Sequence, residues 1–190
     1  MEDEFIIHKG KKLYRIVALR SISISDTILT GKTISSGALG GYVEGYHNLS
    51  QSGKCWIYDE AWVKDDAMVS ENAAVTNNAQ VYENAQISGN SKVMNYAKVY
   101  DSVQVTDNAM VYESSKICGS SKISNDAKIF GCAAISDKVQ VRGKSSISGH
   151  AWLHGNAIIS ENAVISGHAQ VYDDAQVSGH AYIKGNSKVF

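Results

Sequence analysis

A six-residue repeat runs without interruption from Cys55 to Phe190 and limits the possible folds of this chain more than any other feature. In each repeat, or hexad, position one is small or β-branched, and position three is always Val, Ile or Leu. A helix face has a period of 3.6 residues, so residues six apart would spread around a helix. Alternation along a β-strand instead places positions one and three on the same side. Each hexad therefore predicts a short strand with an apolar inner side.

The remaining hexad positions predict how these strands are joined. Positions five and six are mostly Gly, Asn, Asp, Glu, His or Ser, and most of these residues favour turns. Strand-and-turn units of constant length are typical of solenoids. Positions two and four point outward and sort by a period of three hexads into three classes, one of which contains no aromatic residue. Three hexads thus make one coil, and the sequence predicts an all-β, three-sided parallel β-helix over residues 55–190, with about 7.5 coils.

Composition agrees with long regular β structure and reduces the number of possible functions and locations. Proline, which lacks the N–H that a strand ladder needs, is absent. The net charge of -1 supplies no basic field, so we expect no direct binding of nucleic acid or membrane. The acidic start is unlike a secretion signal, and no apolar stretch approaches membrane-spanning length. The three cysteines, Cys55, Cys118 and Cys132, form no Cys-x-x-Cys motif, which favours a cytoplasmic location.

Residues 1–54 break the hexad pattern and predict an N-terminal cap. Residues 4–8 and 13–20 predict two strands joined by a hairpin turn at Lys9-Gly10-Lys11. A glycine-rich stretch, residues 36–45, follows. The first rung of a solenoid exposes unpaired backbone and an open core, and covering it is the simplest role for this region.

The junction between cap and repeat resembles a known family. Residues 37–63 resemble the entry segment of the YdcK-type family of bacterial β-helix proteins, and residues 14–20 resemble it loosely. The matching features are Gly40-Gly41, Val43, Asn48-Leu49-Ser50, Gly53 and Cys55-Trp56-Ile57-Tyr58-Asp59. The hexads resemble the wider hexapeptide-repeat, transferase-like superfamily. The resemblance implies a left-handed helix and a shortened or phage-type relative.

The resemblance to that superfamily implies one main enzymatic alternative, a trimeric acyltransferase that uses acyl-CoA. His150 and His168 are separated by three hexads, so they are expected to stack at one corner as weak candidates for a general base or a metal site. Their spacing follows from the repeat itself, and no inserted loop supplies walls for a substrate pocket. We therefore expect no catalytic residue, no metal and no cofactor.

Carboxylates recur along another corner of the predicted prism. A regular row of this kind could imitate a phosphate backbone, which makes a phage-encoded inhibitor of a host nuclease or defence complex a second alternative. The simpler interpretation is a solvated corner that keeps the solenoid soluble. The residues of this acidic corner are Asp65, Glu83, Asp101, Asp137 and Asp173.

Aromatic and methionine side chains on two faces predict a surface for protein partners, because exposed apolar patches commonly mark interfaces. Ladder packing that stiffens the sheet is the alternative. The predicted partner-binding residues are Tyr82, Met94, Tyr100, Met110, Tyr112 and Phe130. Val189 and Phe190 are expected to form an open end that favours a homo-oligomer, a dimer or a trimer. The sequence thus favours a non-catalytic scaffold that binds proteins through its flat faces.

Overall fold

The computed structural model describes residues 4–23 and 33–190 and shows a β-solenoid of about eight turns. Each hexad contributes a short strand made of positions two and three, and each strand pairs in parallel with the equivalent strand one coil further on. Val69, Ile87 and Val105, for example, lie in one ladder and are all fully buried. The predicted fold class is confirmed, while the left-handed winding stays a prediction from the resemblance.

The hexad strands form three flat faces, each with one sheet. The first face contains Trp62–Val63, Gln80–Val81, Lys98–Val99, Lys116–Ile117, Ala134–Ile135, Trp152–Leu153, Gln170–Val171 and Lys188–Val189. The second face contains Met68–Val69, Gln86–Ile87, Gln104–Val105, Lys122–Ile123, Gln140–Val141, Ile158–Ile159 and Gln176–Val177. The third face contains Trp56–Ile57, Ala74–Val75, Lys92–Val93, Met110–Val111, Lys128–Ile129, Ser146–Ile147, Val164–Ile165 and Tyr182–Ile183.

The core fills the inside of the prism with the side chains of positions one and three. Position three is buried in every hexad from Ile57 to Val177, and position one is buried from Cys55 to Ala175. Some position-one residues are serines, and their hydroxyls donate to nearby backbone carbonyl oxygens, as Ser91 does to Ser88 at 2.6 Å. These bonds satisfy polar groups that burial would otherwise leave without partners.

The corners turn at position five, which has a positive φ in every hexad from Asp59 to Gly185. The residues there are Gly, Asn, Asp or Glu. Glycine enters this left-handed region without steric cost, and Asn and Asp tolerate it better than other residues do. The turn preference inferred from sequence therefore has a specific backbone cause.

The cap extends the first face instead of forming a separate body. A hairpin of Phe5–His8 and Lys11–Val17 pairs with Leu39–Val43, which in turn pairs in parallel with Trp62–Val63. Stacking of coils thus begins before Cys55. The structure therefore has about eight turns, slightly more than the hexads alone predict. The cap also holds the short strands Ile22–Ser23 and Thr33–Ile34 and a 3₁₀-helix, Tyr46–Asn48.

Two glycines explain why this part of the cap lies so close to the first coil. A Cβ atom on Gly41 would lie 2.3 Å from the carbonyl oxygen of Ala61, and one on Gly40 would lie 2.6 Å from that of Ile57. Both contacts are impossible for a side chain, so only glycine permits this approach. Buried Asn48 completes the junction by donating from its amide nitrogen to the carbonyl oxygens of Asp65 and Ala67, at 2.9 and 2.8 Å.

Candidate protein-binding faces

The first face carries a stacked aromatic ladder next to the cap. The rings of Tyr82 and Tyr100 are 4.8 Å apart and parallel to within 1°. Trp62 lies below Tyr82 at 5.7 Å, and His8 of the hairpin packs on Trp62 at 4.4 Å. The ladder follows from the repeat, because the two tyrosines occupy position four on successive rungs. Stacking of this geometry stabilises the sheet and holds the rings rigid.

The two tyrosines of this ladder stay neutral at physiological pH. Burial raises the pKa of Tyr82 to about 12. Burial also raises the pKa of Tyr100, with a further contribution from its hydrogen bond to the Cys118 thiol. Lysine ammonium groups lie over both rings: Lys64 is 5.2 Å from the Tyr82 centroid and Lys116 is 5.4 Å from that of Tyr100. The ladder thus presents aromatic rings bordered by positive charge.

The third face carries a separate apolar cluster, called the third-face patch and formed by Met94, Met110, Tyr112 and Phe130. The rings of Tyr112 and Phe130 stack at 5.0 Å with an angle of 5°. Met94 occupies the rung before Tyr112 in the same column, and Met110 lies in the neighbouring column. All four side chains are half-buried. The structure therefore divides the six predicted partner-binding residues between two faces, and each aromatic pair both packs in a ladder and presents surface.

A second aromatic run occupies the first face farther from the cap. Trp152 and His154 are 4.5 Å apart, His154 stacks on Tyr172 at 5.2 Å, and Tyr172 stacks on Phe190 at 5.7 Å. Sequence reasoning did not single these aromatics out as a cluster. The signal lies in the column of position-four residues on this face, which places His154, Tyr172 and Phe190 on successive rungs.

Phe190, predicted to form an open end, stacks its ring on Tyr172 along the first face. It is 80% exposed, while Val189 is partly buried against the core. Whether these residues take part in an oligomer stays a prediction. The second face has no aromatic side chain, as the sequence indicates, and its outward residues are mostly Gln and Ser.

The candidate histidines stack as expected but do not form a pocket. The rings of His150 and His168 are 4.9 Å apart and nearly parallel, and both residues are exposed at a corner. Within residues 4–23 and 33–190, no group of three or more His, Cys, Asp or Glu side chains could hold a metal ion. Neither a third ligand nor a substrate wall accompanies the pair in that part of the chain.

The acidic corner has a structural role that the sequence did not reveal. Four of its five carboxylates, all except that of Asp173, accept a hydrogen bond from the backbone N–H of the equivalent residue on the next coil, for example Glu83 from Asp101 at 2.8 Å and Asp101 from Gly119 at 2.7 Å. Asp137 does the same with Gly155 at 2.9 Å. A hydrogen bond with the Asp101 carboxyl raises the pKa of Glu83. These carboxylates therefore connect successive coils, and mimicry of a phosphate backbone remains an untested prediction.

The first residue of that corner is neutralised by lysines at the junction with the cap. Lys11 of the hairpin donates to Glu44 at 2.8 Å and to Asp65 at 2.7 Å, and Lys64 also donates to Asp65. Burial alone would raise the pKa of Asp65, but the hydrogen bonds from Lys11 and Lys64 outweigh it and lower that pKa to about 2. This cluster attaches the hairpin to the first coils.

A cavity of about 910 Å³ lies between the hairpin and the first coil. Its lining is mainly apolar and includes Ile16, Val17, Tyr46, Leu49 and Trp56. Arg15 also borders the cavity. Its guanidinium donates hydrogen bonds to the Tyr42 hydroxyl at 2.8 Å and to the Glu60 carboxylate at 3.0 Å. None of the predicted site residues lines this cavity.

No protein-family model matches the chain, and no curated protein matches it significantly. The resemblance to the YdcK-type family therefore stays a prediction. Within the described parts of the chain, no helix has the length and apolar character needed to span a membrane.

Proposed function

We propose that this protein is a non-catalytic scaffold that binds other proteins through its flat faces. The third-face patch is the observation that carries the proposal. Its two stacked rings and two methionines lie on adjacent rungs of the third face and form one half-buried apolar area. Aromatic residues and methionine are enriched in the centres of protein interfaces, where charged residues are depleted.

Rigidity makes the patch suited to binding. Tyr112 and Phe130 are held by each other and by strands whose inner residues, Val111 and Ile129, are fully buried. Side chains that are already ordered lose little conformational entropy when a partner covers them, so more of the apolar contact contributes to affinity. Methionine adds adaptability, because its flexible thioether can follow an irregular partner surface.

The rim of the patch carries charges of both signs. Lys128 lies on the rung after Met110 in the same column, and it is exposed. Glu113 directly follows Tyr112, and burial together with the charge of Glu113 raises the pKa of Tyr112. Rim charges mainly steer association and set specificity, so we expect the partner to present an apolar segment bordered by polar or charged groups.

A capture experiment tests this proposal. The tagged protein and the double variant Tyr112→Ser, Phe130→Ser are used as baits in lysate of the native host, and bound proteins are identified by mass spectrometry. A specific partner should be lost with the variant, because truncating central aromatics removes most of an interface's binding energy. The matched control is Gln104→Ser, Gln140→Ser on the second face, which should retain the partner.

Two outcomes would overturn the proposal. One is a partner that binds the patch variant as well as it binds the unmodified protein. The other is turnover of acyl-CoA that disappears in His150→Ala or His168→Ala, since this would assign the protein to catalysis.

A further inference from the structure

The first face places small side chains directly beside large ones in a pattern that two copies could satisfy together. Three outward residues on two successive rungs are small, namely Cys118 on one and Ala134 with Ser136 on the next. The following rung carries Trp152 and His154, and the rung after it carries Tyr172. The other outward residue of the Cys118 rung is Lys116, whose ammonium group reaches back over the Tyr100 ring, 5.4 Å from its centroid. Trp152 is 46% exposed and packs against His154 at 4.5 Å, on the rung next to the low area around Ala134.

We propose that this face binds a second copy of the same chain, with the two prisms antiparallel and related by a two-fold axis. The axis lies between the two faces and runs parallel to the strands, midway between the rungs of Ala134 and Trp152. The rungs of the second copy therefore run in the opposite order. Position two of one copy faces position two of the other, and position four faces position four. A two-fold interface is isologous, so each contact from one copy to the other occurs twice.

Of the six pairs of outward positions, three set a small residue opposite a large one. The other three are Lys116 with Gln170, next to the centre, and Lys98 with Lys188 and Tyr100 with Phe190 at the outermost rungs. Trp152 of each copy projects onto Ala134 of the other, and His154 projects onto Ser136. Cys118 lies opposite Tyr172, one rung farther out. All of these pairs follow from the single choice of axis, because the regular stacking of one coil on the next sets every other position.

Other arrangements of the same face do not give this fit. A two-fold axis along the prism would place each rung opposite itself, so Trp152 would meet His154 while Ala134 would face Ser136 across a gap. Voids and clashes of that kind both reduce stability. The antiparallel arrangement is therefore the one that the side-chain sizes favour.

Charge does not favour this arrangement, but it leaves the centre of the interface uncharged: the outward lysines of the six rungs are Lys98, Lys116 and Lys188, and none lies on the rungs of Ala134 and Trp152. None of the outward positions on the rungs from Lys98 to Lys188 is Asp or Glu. At the adjoining acidic corner the axis sets Asp137 opposite Gly155 and Asp173 opposite Gly119, so carboxylates do not face carboxylates. Lys98 and Lys188 meet at the outermost rungs, where both are exposed and remain hydrated.

The size of the face predicts a weak dimer. Six rungs at about 4.8 Å by a strand width of about 15 Å give roughly 450 Å² per copy, or about 900 Å² in total. Interfaces below about 1,200 Å² are typical of transient complexes. Dimerisation should therefore be measured at concentrations up to about 1 mM.

Sedimentation equilibrium on the unmodified protein and three variants tests the proposal. Trp152→Ala should raise the dimer dissociation constant at least about tenfold, since a central tryptophan commonly dominates an interface. Ala134→Trp should do the same by placing two indoles against each other. The double variant Ala134→Trp, Trp152→Ala exchanges the large and small positions, and the same axis then pairs them again, so the dimer should return.

The fold should tolerate these changes, because Trp62 already occupies the same outward column, and thermal melting checks this for each variant. A protein that stays monomeric at about 1 mM overturns the proposal. A dimer that persists in both single variants, or that fails to return in the double variant, also overturns it.

The proposal rests on the proposed function only in treating the flat faces as binding surfaces. Tyr112→Ser, Phe130→Ser should leave the dimer intact, so loss of partner capture and loss of self-association can be told apart.

Discussion

The cap and the coils of this protein are held together by different kinds of contact. In the coils, residues 55–190, the same backbone bonds recur once per coil, and the core is built from one small and one branched side chain per hexad. In the cap, specific side chains form the contacts: Lys11 with Glu44 and Asp65, Asn48 with two carbonyl groups, and glycines where no other residue fits.

This difference separates stability from surface chemistry. In the coils, the inner positions one and three form the core and the outward positions two and four contribute less to stability, so a face can be polar, aromatic or mixed while the fold stays the same. In the cap, single side chains decide whether the hairpin remains attached. Repeat proteins behave in this way because each unit is stabilised mainly by its neighbours.

The largest expected effect is on the core of the coils. Ile117→Ala removes a fully buried side chain between Val99 and Ile135, and should lower the free energy of unfolding by about 3 kcal/mol. Urea unfolding followed by circular dichroism measures the change. Lys122→Ala on the exposed second face is the control and should change stability by less than about 0.5 kcal/mol. Equal effects from the two variants would mean that the prism interior is not the main source of stability.

A buried residue of the cap should behave differently. Leu13→Ala opens a gap between the hairpin and the rings of Tyr42 and Trp62, and should destabilise the hairpin by about 2 kcal/mol. Hydrogen exchange should show faster opening of the hairpin amides while the coil amides keep their protection. Uniform loss of protection along the chain would contradict the distinction between the two regions.

Replacing a corner glycine by alanine should destabilise the fold for two reasons, backbone strain and contact with the next coil, and two variants separate them. Gly149→Ala adds a methyl group 2.8 Å from the Gly167 nitrogen at a φ of +67°, and should cost about 2 kcal/mol. Gly185→Ala meets nothing within 4 Å at a φ of +64°, so it should cost only about 1 kcal/mol of backbone strain. Thermal melting compares the two variants, and the difference reports the contact between rungs. Equal melting temperatures would assign the whole effect to strain.

The smallest effect concerns pH and the attachment of the cap. Asp65 has its pKa lowered from 3.8 to about 2, so its ion pairs stabilise the folded state above about pH 4 and are lost as the pH falls through 2. Hydrogen exchange of the hairpin, corrected for intrinsic rates, should show protection falling over that interval. The coil interior should be unaffected, and Asp65→Asn should flatten the dependence. A pH response shared by coils and hairpin would argue against a local origin.

Much of the fold could be predicted from sequence because the repeat encodes it directly. Position three identifies the core, and the period of three hexads identifies the three faces and the neighbours of every strand. The hairpin at Lys9-Gly10 was also predictable from its turn residues. The pairing of Leu39–Val43 with Trp62–Val63 was not, since it depends on the close approach of Gly40 and Gly41, which no periodic pattern marks.

The candidate surfaces were predicted less completely. The ring pairs Tyr82–Tyr100 and Tyr112–Phe130 follow from a spacing of one coil, and the structure stacks both. The role of Asp101 and its neighbours in bonding the next coil's backbone was missed, because a column of carboxylates looks the same in sequence whether it faces solvent or an N–H group. The pairing of Ala134 with Trp152 can be inferred only when the sizes of the outward side chains on two adjacent rungs are compared.

The constant length of the turns, three hexads in each, also governs how such a protein can change in length during evolution. Deleting or duplicating a whole turn shortens or lengthens the prism and leaves every later side chain on its original face. Deleting a single hexad preserves the inner apolar positions but moves all later outward residues to a neighbouring face. One small genetic event can therefore give the molecule a new outer surface while the interior stays intact.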